Sequence, residues 1–190
     1  MKSLRFVLAV ALLGALSTLA FAQMDAQKAD APTSEAQKSF DQMKNLAGTW
    51  QGRVSTIPPQ PEMGDGTNLQ ISMKVTSRGN ALVHEMMQAG VADDPTKNDH
   101  PVTMFYLDSD RLLLTHYCDA GNRPRMVSRT SPDGKTLDFD FLDVAGSTQF
   151  GHMQHAAFTV IDANHHTEDW TYLMPGDKPM HAHMDLQRTK

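Results

Sequence analysis

The chain contains 190 residues, of which 40% are apolar and 21% are charged, and its formal charge at pH 7 is −5. This length and composition are typical of one globular domain, which excludes a collagen, a disordered tail and a protein with many transmembrane helices. The acidic net charge argues against the basic surface that nucleic-acid binding requires, so we expect no nucleic-acid partner.

The first 22 residues have the pattern of a secretory signal peptide. Lys2 and Arg5 precede an apolar run from residue 6 to residue 16, and the small-residue site Ala20-Phe21-Ala22 follows. The apolar run is too short to span a bilayer. We therefore predict cleavage before Gln23 and a periplasmic or secreted protein with no integral membrane segment. The loss of Lys2 and Arg5 changes its formal charge from −5 to −7.

The mature chain begins with a change from irregular to periodic sequence. Residues 23–33 are rich in Ala, Asp, Gln and Lys without an apolar period, which predicts a flexible leader. The sequence Ser34-Glu35-Ala36-Gln37 fits a capping box, and apolar residues follow at helical spacing, so we predict a helix over residues 34–45. From Gly48 onward the period is two, which predicts a β-barrel domain over residues 46–190.

The alternating segments predict an all-β fold of about ten antiparallel strands. This number is too large for one twisted open sheet, and short sequential connections favour a single up-and-down barrel with the short helix before it. Closure also removes exposed sheet edges. A sandwich of two sheets is the alternative.

Four turn signals predict strand registers, and register decides which side chains face inward. The predicted turns lie at residues 79–80, 109–110, 131–134 and 163–165. They pair residues across adjacent strands as follows: Val75 with His84, Thr103 with His116, Met126 with Phe139, and Phe158 with Trp170. These registers direct both polar and apolar side chains into the barrel.

We predict a ligand-binding interior from this mixture, because small-molecule sites combine apolar walls with a few convergent polar groups. The polar candidates are His84, His116, Cys118, His152 and Glu168. The apolar candidates are Trp50, Met86, Phe105, Met126, Phe139 and Trp170. Strand directions place His84 and Glu168 toward one end of the barrel and Cys118 and His152 toward the opposite end. His116 lies between them. A filled core with a hydrogen-bonded polar network is the alternative.

Catalysis and metal binding are further hypotheses. The chain lacks the common hydrolase, zinc-protease and phosphate-loop motifs, so we expect binding rather than an enzyme; a catalytic use of the interior would take His116 and His152 as acid and base. The segment Met180-His181-Ala182-His183-Met184 carries soft and borderline metal ligands, but period-two alternation divides them between two faces. The exposed His181 and His183, with His165 or His166, would form the metal site. Cys118 is the only cysteine, so no internal disulfide forms.

The segment Leu46-Ala47-Gly48-Thr49-Trp50 places Gly-x-Trp on the first strand directly after a short helix. This entry resembles that of calycin barrels, the group of lipocalins and fatty-acid-binding proteins. The segments Thr115-His116-Tyr117-Cys118 and Gly121-Asn122-Arg123-Pro124-Arg125-Met126 resemble exported bacterial calycin-like families of unknown function. The resemblance covers residues 48–190 and implies a barrel that can enclose a small-molecule ligand.

The strand count is similar to that of nitrobindin, a ten-stranded relative that binds haem through a His. That similarity makes haem one candidate cofactor, although no nitrobindin motif matches this chain residue by residue. The sequence therefore identifies no cofactor and no particular metal.

Overall fold

Alternation of apolar and polar residues from Gly48 onward produces ten antiparallel strands that close into one barrel. The strands are β1 Gly48–Ile57, β2 Asn68–Thr76, β3 Ala81–Gln88, β4 Val102–Asp108, β5 Arg111–Tyr117, β6 Arg123–Thr130, β7 Thr136–Ala145, β8 His152–Asp162, β9 His165–Met174 and β10 Lys178–Arg188. Each strand pairs with its neighbours in sequence, and β1 pairs with β10. This architecture confirms the predicted all-β barrel and excludes the sandwich.

The computed structural model describes residues 33–61, 64–92, 94, 96–130 and 134–190. The predicted signal peptide, nearly all of the predicted leader and most of the turn at residues 131–134 lie outside the described residues. Residues 34–190 form one compact unit. Among the described residues, no helix is both long and apolar enough to cross a membrane.

The predicted helix is present as α1, Glu35–Lys44. Ser34 is its N-cap, and the Ser34 hydroxyl accepts a hydrogen bond of 3.1 Å from the Gln37 amide, as a capping box requires. Phe40 and Met43 are buried in the barrel core. The Gln42 side chain donates to the Gly134 carbonyl beyond the end of β6. Helix α1 therefore covers the end of the barrel that carries the β4–β5, β6–β7 and β8–β9 turns, which we call the closed end.

The first and last strands are joined at the closed end by Arg188. Its guanidinium lies 4.0 Å from the ring centroid of the buried Trp50. It also donates to the carbonyls of Ala47 at 2.6 Å and Asn45 at 3.0 Å. The Trp50 indole N–H donates to the Leu46 carbonyl at 2.8 Å. These contacts tie β10 to the segment that connects α1 with β1.

Aromatic side chains fill the interior near the closed end. Phe105, Phe139 and Phe158 are at most 1% exposed, and their ring centroids lie 5.4 to 5.8 Å apart in edge-to-face geometry. This arrangement is favourable for aromatic rings because the ring edge is positive and the ring face is negative. The interior at this level is packed with side chains.

The observed strand register agrees with the predicted register at one hairpin. At the other three hairpins it is shifted by two residues. Thr103 pairs with His116 as predicted. His84 pairs with Met73 rather than with Val75. The reason is a longer turn, since Ser77 and Arg78 adopt φ values of +51° and +55° and add residues to the predicted two-residue connection.

The other two registers that differ are those of the β6–β7 and β8–β9 hairpins. Phe139 pairs with Ser128 rather than with Met126, and Trp170 pairs with Ala156 rather than with Phe158. A shift of two residues leaves the inward and outward faces unchanged, because the side-chain period of a strand is two.

We expect Arg188→Met to lower the free energy of unfolding by about 1.5 to 3 kcal/mol, because it removes hydrogen bonds made by a charged donor while keeping an apolar stem of similar length. Urea unfolding followed by circular dichroism measures this change. The control is Arg129→Met, because Arg129 is 73% exposed and pairs with Asp140 on the outer face; we expect less than about 1 kcal/mol there. Equal losses in the two variants would contradict the role of Arg188.

Candidate functional site

A cavity of about 640 Å³ opens at the barrel end opposite α1, which we call the open end. Its walls come from strands β1, β2, β3, β5, β8, β9 and β10, and its mouth comes from the β1–β2, β3–β4 and β5–β6 loops. Apolar lining residues include Met86, Met153, Trp170, Met180 and Met184. We refer to this space as the open-end cavity.

The structure places four of the eleven predicted ligand-binding residues on the wall of this cavity. They are Met86, His116, Cys118 and Trp170. Six others are buried in the core away from the cavity wall: Trp50, His84, Phe105, Met126, Phe139 and Glu168. Ligand contact by any of the eleven stays a prediction.

His152 lies away from the cavity wall because of a β-bulge. The register between β8 and β9 shifts between Met153 and His155, so Met153 pairs with Tyr172 and lines the cavity. His152 instead lies 5.1 Å from the Phe141 ring and contacts the Gln154 side chain at 3.2 Å. His116 and His152 are therefore not brought together on the cavity wall as an acid and a base.

Glu168 forms a buried polar cluster inside the barrel, with 0% of its surface exposed. His84 Nε2 lies 3.2 and 3.1 Å from the two carboxylate oxygens, and His166 Nε2 lies 3.1 Å from Oε1. The Trp170 indole N–H donates to Oε2 at 3.0 Å. An ionised carboxylate only accepts hydrogen bonds, so both histidines donate through Nε2. The predicted proximity of His84 and Glu168 is thus observed.

The electrostatics of the cluster favour the charged carboxylate. Burial acts to raise the pKa of Glu168, but the neighbouring His84 and the hydrogen bonds from His166 and His84 outweigh it, so the pKa lies well below its usual range. The Nδ1 atoms of His84 and His166 are buried and have no hydrogen-bond partner within the described part of the chain.

His166 is the residue of this cluster that sequence reasoning misassigned. The sequence predicts an exposed site made of His181 and His183 with His165 or His166. His166 is instead 0% exposed, and its ring centroid lies 4.2 Å from that of Trp50. The signal was available, because His166 stands two residues before the inward-facing Glu168 on the same strand.

The floor of the open-end cavity is formed by Trp170 and His116, whose ring centroids lie 5.3 Å apart. His116 Nδ1 is hydrogen-bonded to the Thr103 hydroxyl at 2.8 Å. Burial, together with the nearby His84, lowers the pKa of His116 to about 3. His116 is therefore a neutral polar group in the cavity wall at physiological pH.

Two carboxylates that the sequence did not single out, Asp99 and Asp119, lie at the mouth of the cavity. The two carboxylates lie close enough to interact electrostatically, and the His100 amide donates to Asp119 Oδ2 at 3.2 Å. Burial in the loop and the adjacent Asp119 raise the pKa of Asp99 to about 7. Asp99 is nevertheless exposed at the protein surface, and solvent screening reduces the free energy associated with this shift. Burial also raises the pKa of the neighbouring Cys118 thiol.

The side chains of strand β10 alternate between the inner and outer faces of the barrel, as predicted. Met180 and Met184 face the cavity, whereas His181 and His183 are exposed. His183 Nδ1 lies 2.7 Å from an Asp169 carboxylate oxygen. No group of three or more His, Cys, Asp or Glu side chains within the described ranges is arranged to hold a metal ion.

Comparison with known proteins adds information about the fold. No family model matches the chain, and no curated protein matches it in sequence. The barrel is similar to a crystal structure of a protein of unknown function from the DUF3598 family of Nostoc punctiforme, with a TM-score of 0.50 and 10% sequence identity. The match covers 77% of this chain and 49% of that protein, so the chain spans about half of its length. At this identity the similarity shows the fold alone.

We expect Glu168→Gln to lower the free energy of unfolding by about 3 to 5 kcal/mol, because the neutral amide leaves buried donors without a charged acceptor. Chemical unfolding at neutral pH measures the loss. The matched control is Glu35→Gln, since Glu35 is 83% exposed and pairs with Lys38 on the surface; we expect less than about 1 kcal/mol. A small effect at Glu168 would mean that its charge does not stabilise the barrel.

The same variant tests the pH dependence of stability. Because the folded-state pKa of Glu168 is lowered, its stabilising contribution is complete above the unfolded-state pKa of about 4.3 and is lost as the pH falls through the folded-state value. Glu168→Gln should remove this acidic slope from a plot of unfolding free energy against pH. An unchanged slope would contradict the assignment.

Asp99 should give the unfolding free energy a pH dependence of the opposite sign. Its folded-state pKa of about 7 is raised, so its contribution to stability is complete below about pH 3.9 and is lost as the pH rises through about 7. We expect Asp99→Asn to flatten the decline in unfolding free energy across this range, measured by urea unfolding at a series of pH values. Asp110→Asn, in the exposed β4–β5 turn, should leave the decline unchanged.

Proposed function

We propose that this protein binds a small, largely apolar molecule in the open-end cavity. The observation that carries the proposal is the cavity itself, because its volume of about 640 Å³ lies within the range of about 300 to 1,000 Å³ common for ligand sites. Its wall is mostly apolar and includes a few polar groups, such as His116 and Cys118. That composition suits a guest whose body is apolar and whose position is set by one or two polar contacts.

The contrast between the two ends of the barrel supports this function. Near the closed end, Phe105, Phe139 and Phe158 fill the interior with packed rings. Near the open end, flexible methionines such as Met86 and Met184 surround free volume instead. Methionine side chains adapt to irregular guests because they are unbranched and polarizable.

We also propose that the protein is exported and that it is a calycin-like ligand carrier. The signal-peptide pattern of residues 1–22 supports export to the periplasm or medium. The helix followed by Gly48-Thr49-Trp50 and the sequential ten-stranded barrel support the calycin resemblance. Barrels of this size that keep an open interior commonly enclose one small ligand.

Tryptophan fluorescence provides a direct test, because the chain contains two tryptophans and Trp170 lines the cavity whereas Trp50 is buried beside Arg188 near the closed end. We expect the neutral fluorescent probe N-phenylnaphthylamine to bind with saturation and to quench Trp170 by energy transfer. Trp170→Phe should remove most of this quenching.

A cavity-filling pair of variants locates the binding. Ala182→Phe places a ring inside the cavity, and we expect it to weaken probe binding at least about tenfold, equivalent to about 1.4 kcal/mol. His181→Phe adds a ring to the outer face one residue away, and we expect no change. Probe binding that is absent, or equal in both variants, would overturn the proposed function.

A further inference from the structure

The mouth of the open-end cavity carries more negative than positive charge. Its described lining residues include Asp94, Asp99 and Asp119, and Lys97 is the one Lys or Arg among them. Lys97 is already paired, because its ammonium lies 2.7 Å from an Asp94 carboxylate oxygen. The remaining carboxylates, Asp99 and Asp119, therefore give this side of the mouth a negative potential that the neighbouring ammonium does not cancel.

Two separate loops bring Asp99 and Asp119 together. Asp99 lies in the β3–β4 loop, Asp119 lies in the β5–β6 loop, and the His100 amide holds Asp119 in place. Two adjacent negative charges repel each other, so the proximity of Asp119 favours a proton on Asp99. An organic cation placed between the two carboxylates can take the place of that proton and is attracted by both of them.

The surface below the carboxylates changes from polar to apolar. Cys118 lies next to Asp119, His116 follows two residues earlier on β5, and the apolar wall of Trp170 and Met184 lies deeper in the barrel. His116 is 2% exposed and neutral, so it does not repel a cation. The cavity is thus anionic at its mouth and apolar at its floor.

We propose that the ligand class of the open-end cavity is an amphipathic amine, with its ammonium group between Asp99 and Asp119 and its apolar chain directed toward Trp170. This inference rests on the proposed function, because it specifies the molecule that the same cavity binds. A fatty acid of equal chain length would bring its carboxylate against the two aspartates. A neutral alcohol would bury the same chain without an ionic contact.

Three ligands with the same eight-carbon chain separate these possibilities: octylamine, octanol and octanoate. Each is titrated at pH 8 into the full mature chain while the fluorescence of Trp170 is recorded. We expect octylamine to bind at least about tenfold more tightly than octanol, and octanoate to bind more weakly than both. Added salt should weaken octylamine binding and leave octanol binding unchanged, since it screens the ionic contact.

Variants of the carboxylates provide the second arm of the experiment. Asp99→Asn combined with Asp119→Asn should reduce octylamine affinity to that of octanol, while octanol affinity is retained as proof of folding. The matched control is Asp94→Asn, which removes a mouth carboxylate that is paired with Lys97. We expect this control to keep the preference for octylamine.

The outcomes distinguish the two proposals. If none of the three ligands binds, the proposed function is wrong. If octanol binds and octylamine binds no more tightly, the cavity is a ligand site but the amine inference is wrong. The inference is also overturned if the double variant keeps the preference, or if salt has no effect on octylamine binding to the unmodified protein, a measurement that does not depend on the folding of any variant.

Discussion

The buried carboxylate of Glu168 is the interaction on which the barrel interior depends. A charge without exposed surface must be surrounded by hydrogen-bond donors, because transfer of an unpaired carboxylate from water costs far more than a typical domain can offset. His84, His166 and Trp170 meet this requirement. Glu168 lies on β9 and His84 on β3, which is four strands away around the sheet. The contact therefore joins two widely separated walls and fixes the distance between them.

The same contact divides the interior into two regions. Phe105 and Phe158 pack against the His84 ring, with centroids 6.5 and 6.2 Å away. Trp170 has its indole nitrogen held by Glu168, and the side chain also lines the open-end cavity. An electrostatic requirement of the core thereby holds the aromatic floor of the cavity in one position.

The parts of this structure that follow from period-two alternation could be predicted from the sequence. The number of strands and the inward orientation of His84, His116 and Glu168 follow from this alternation. Both remain correct when the pairing of two strands shifts by two residues, because the side-chain period is two. Turn length could not be predicted, because Ser77 and Arg78 adopt a left-handed backbone that these residue types seldom show. A single inserted residue in β8 removed His152 from the cavity wall. The aspartates at the mouth lie in loops, where no period exists to place them.

Closure of the barrel by β1 and β10 also constrains how the chain reaches its native state. Nine of the ten strand pairings join sequence neighbours, whereas Trp50 pairs with Arg188 at the opposite end of the chain. The nine local hairpins can form in any order, but the seam between β1 and β10 closes only after the whole barrel sequence has left the ribosome. Until then β1 and β9 are open edges that can pair with another chain. A barrel of this design therefore benefits from being kept extended, or bound by a chaperone, until synthesis is complete.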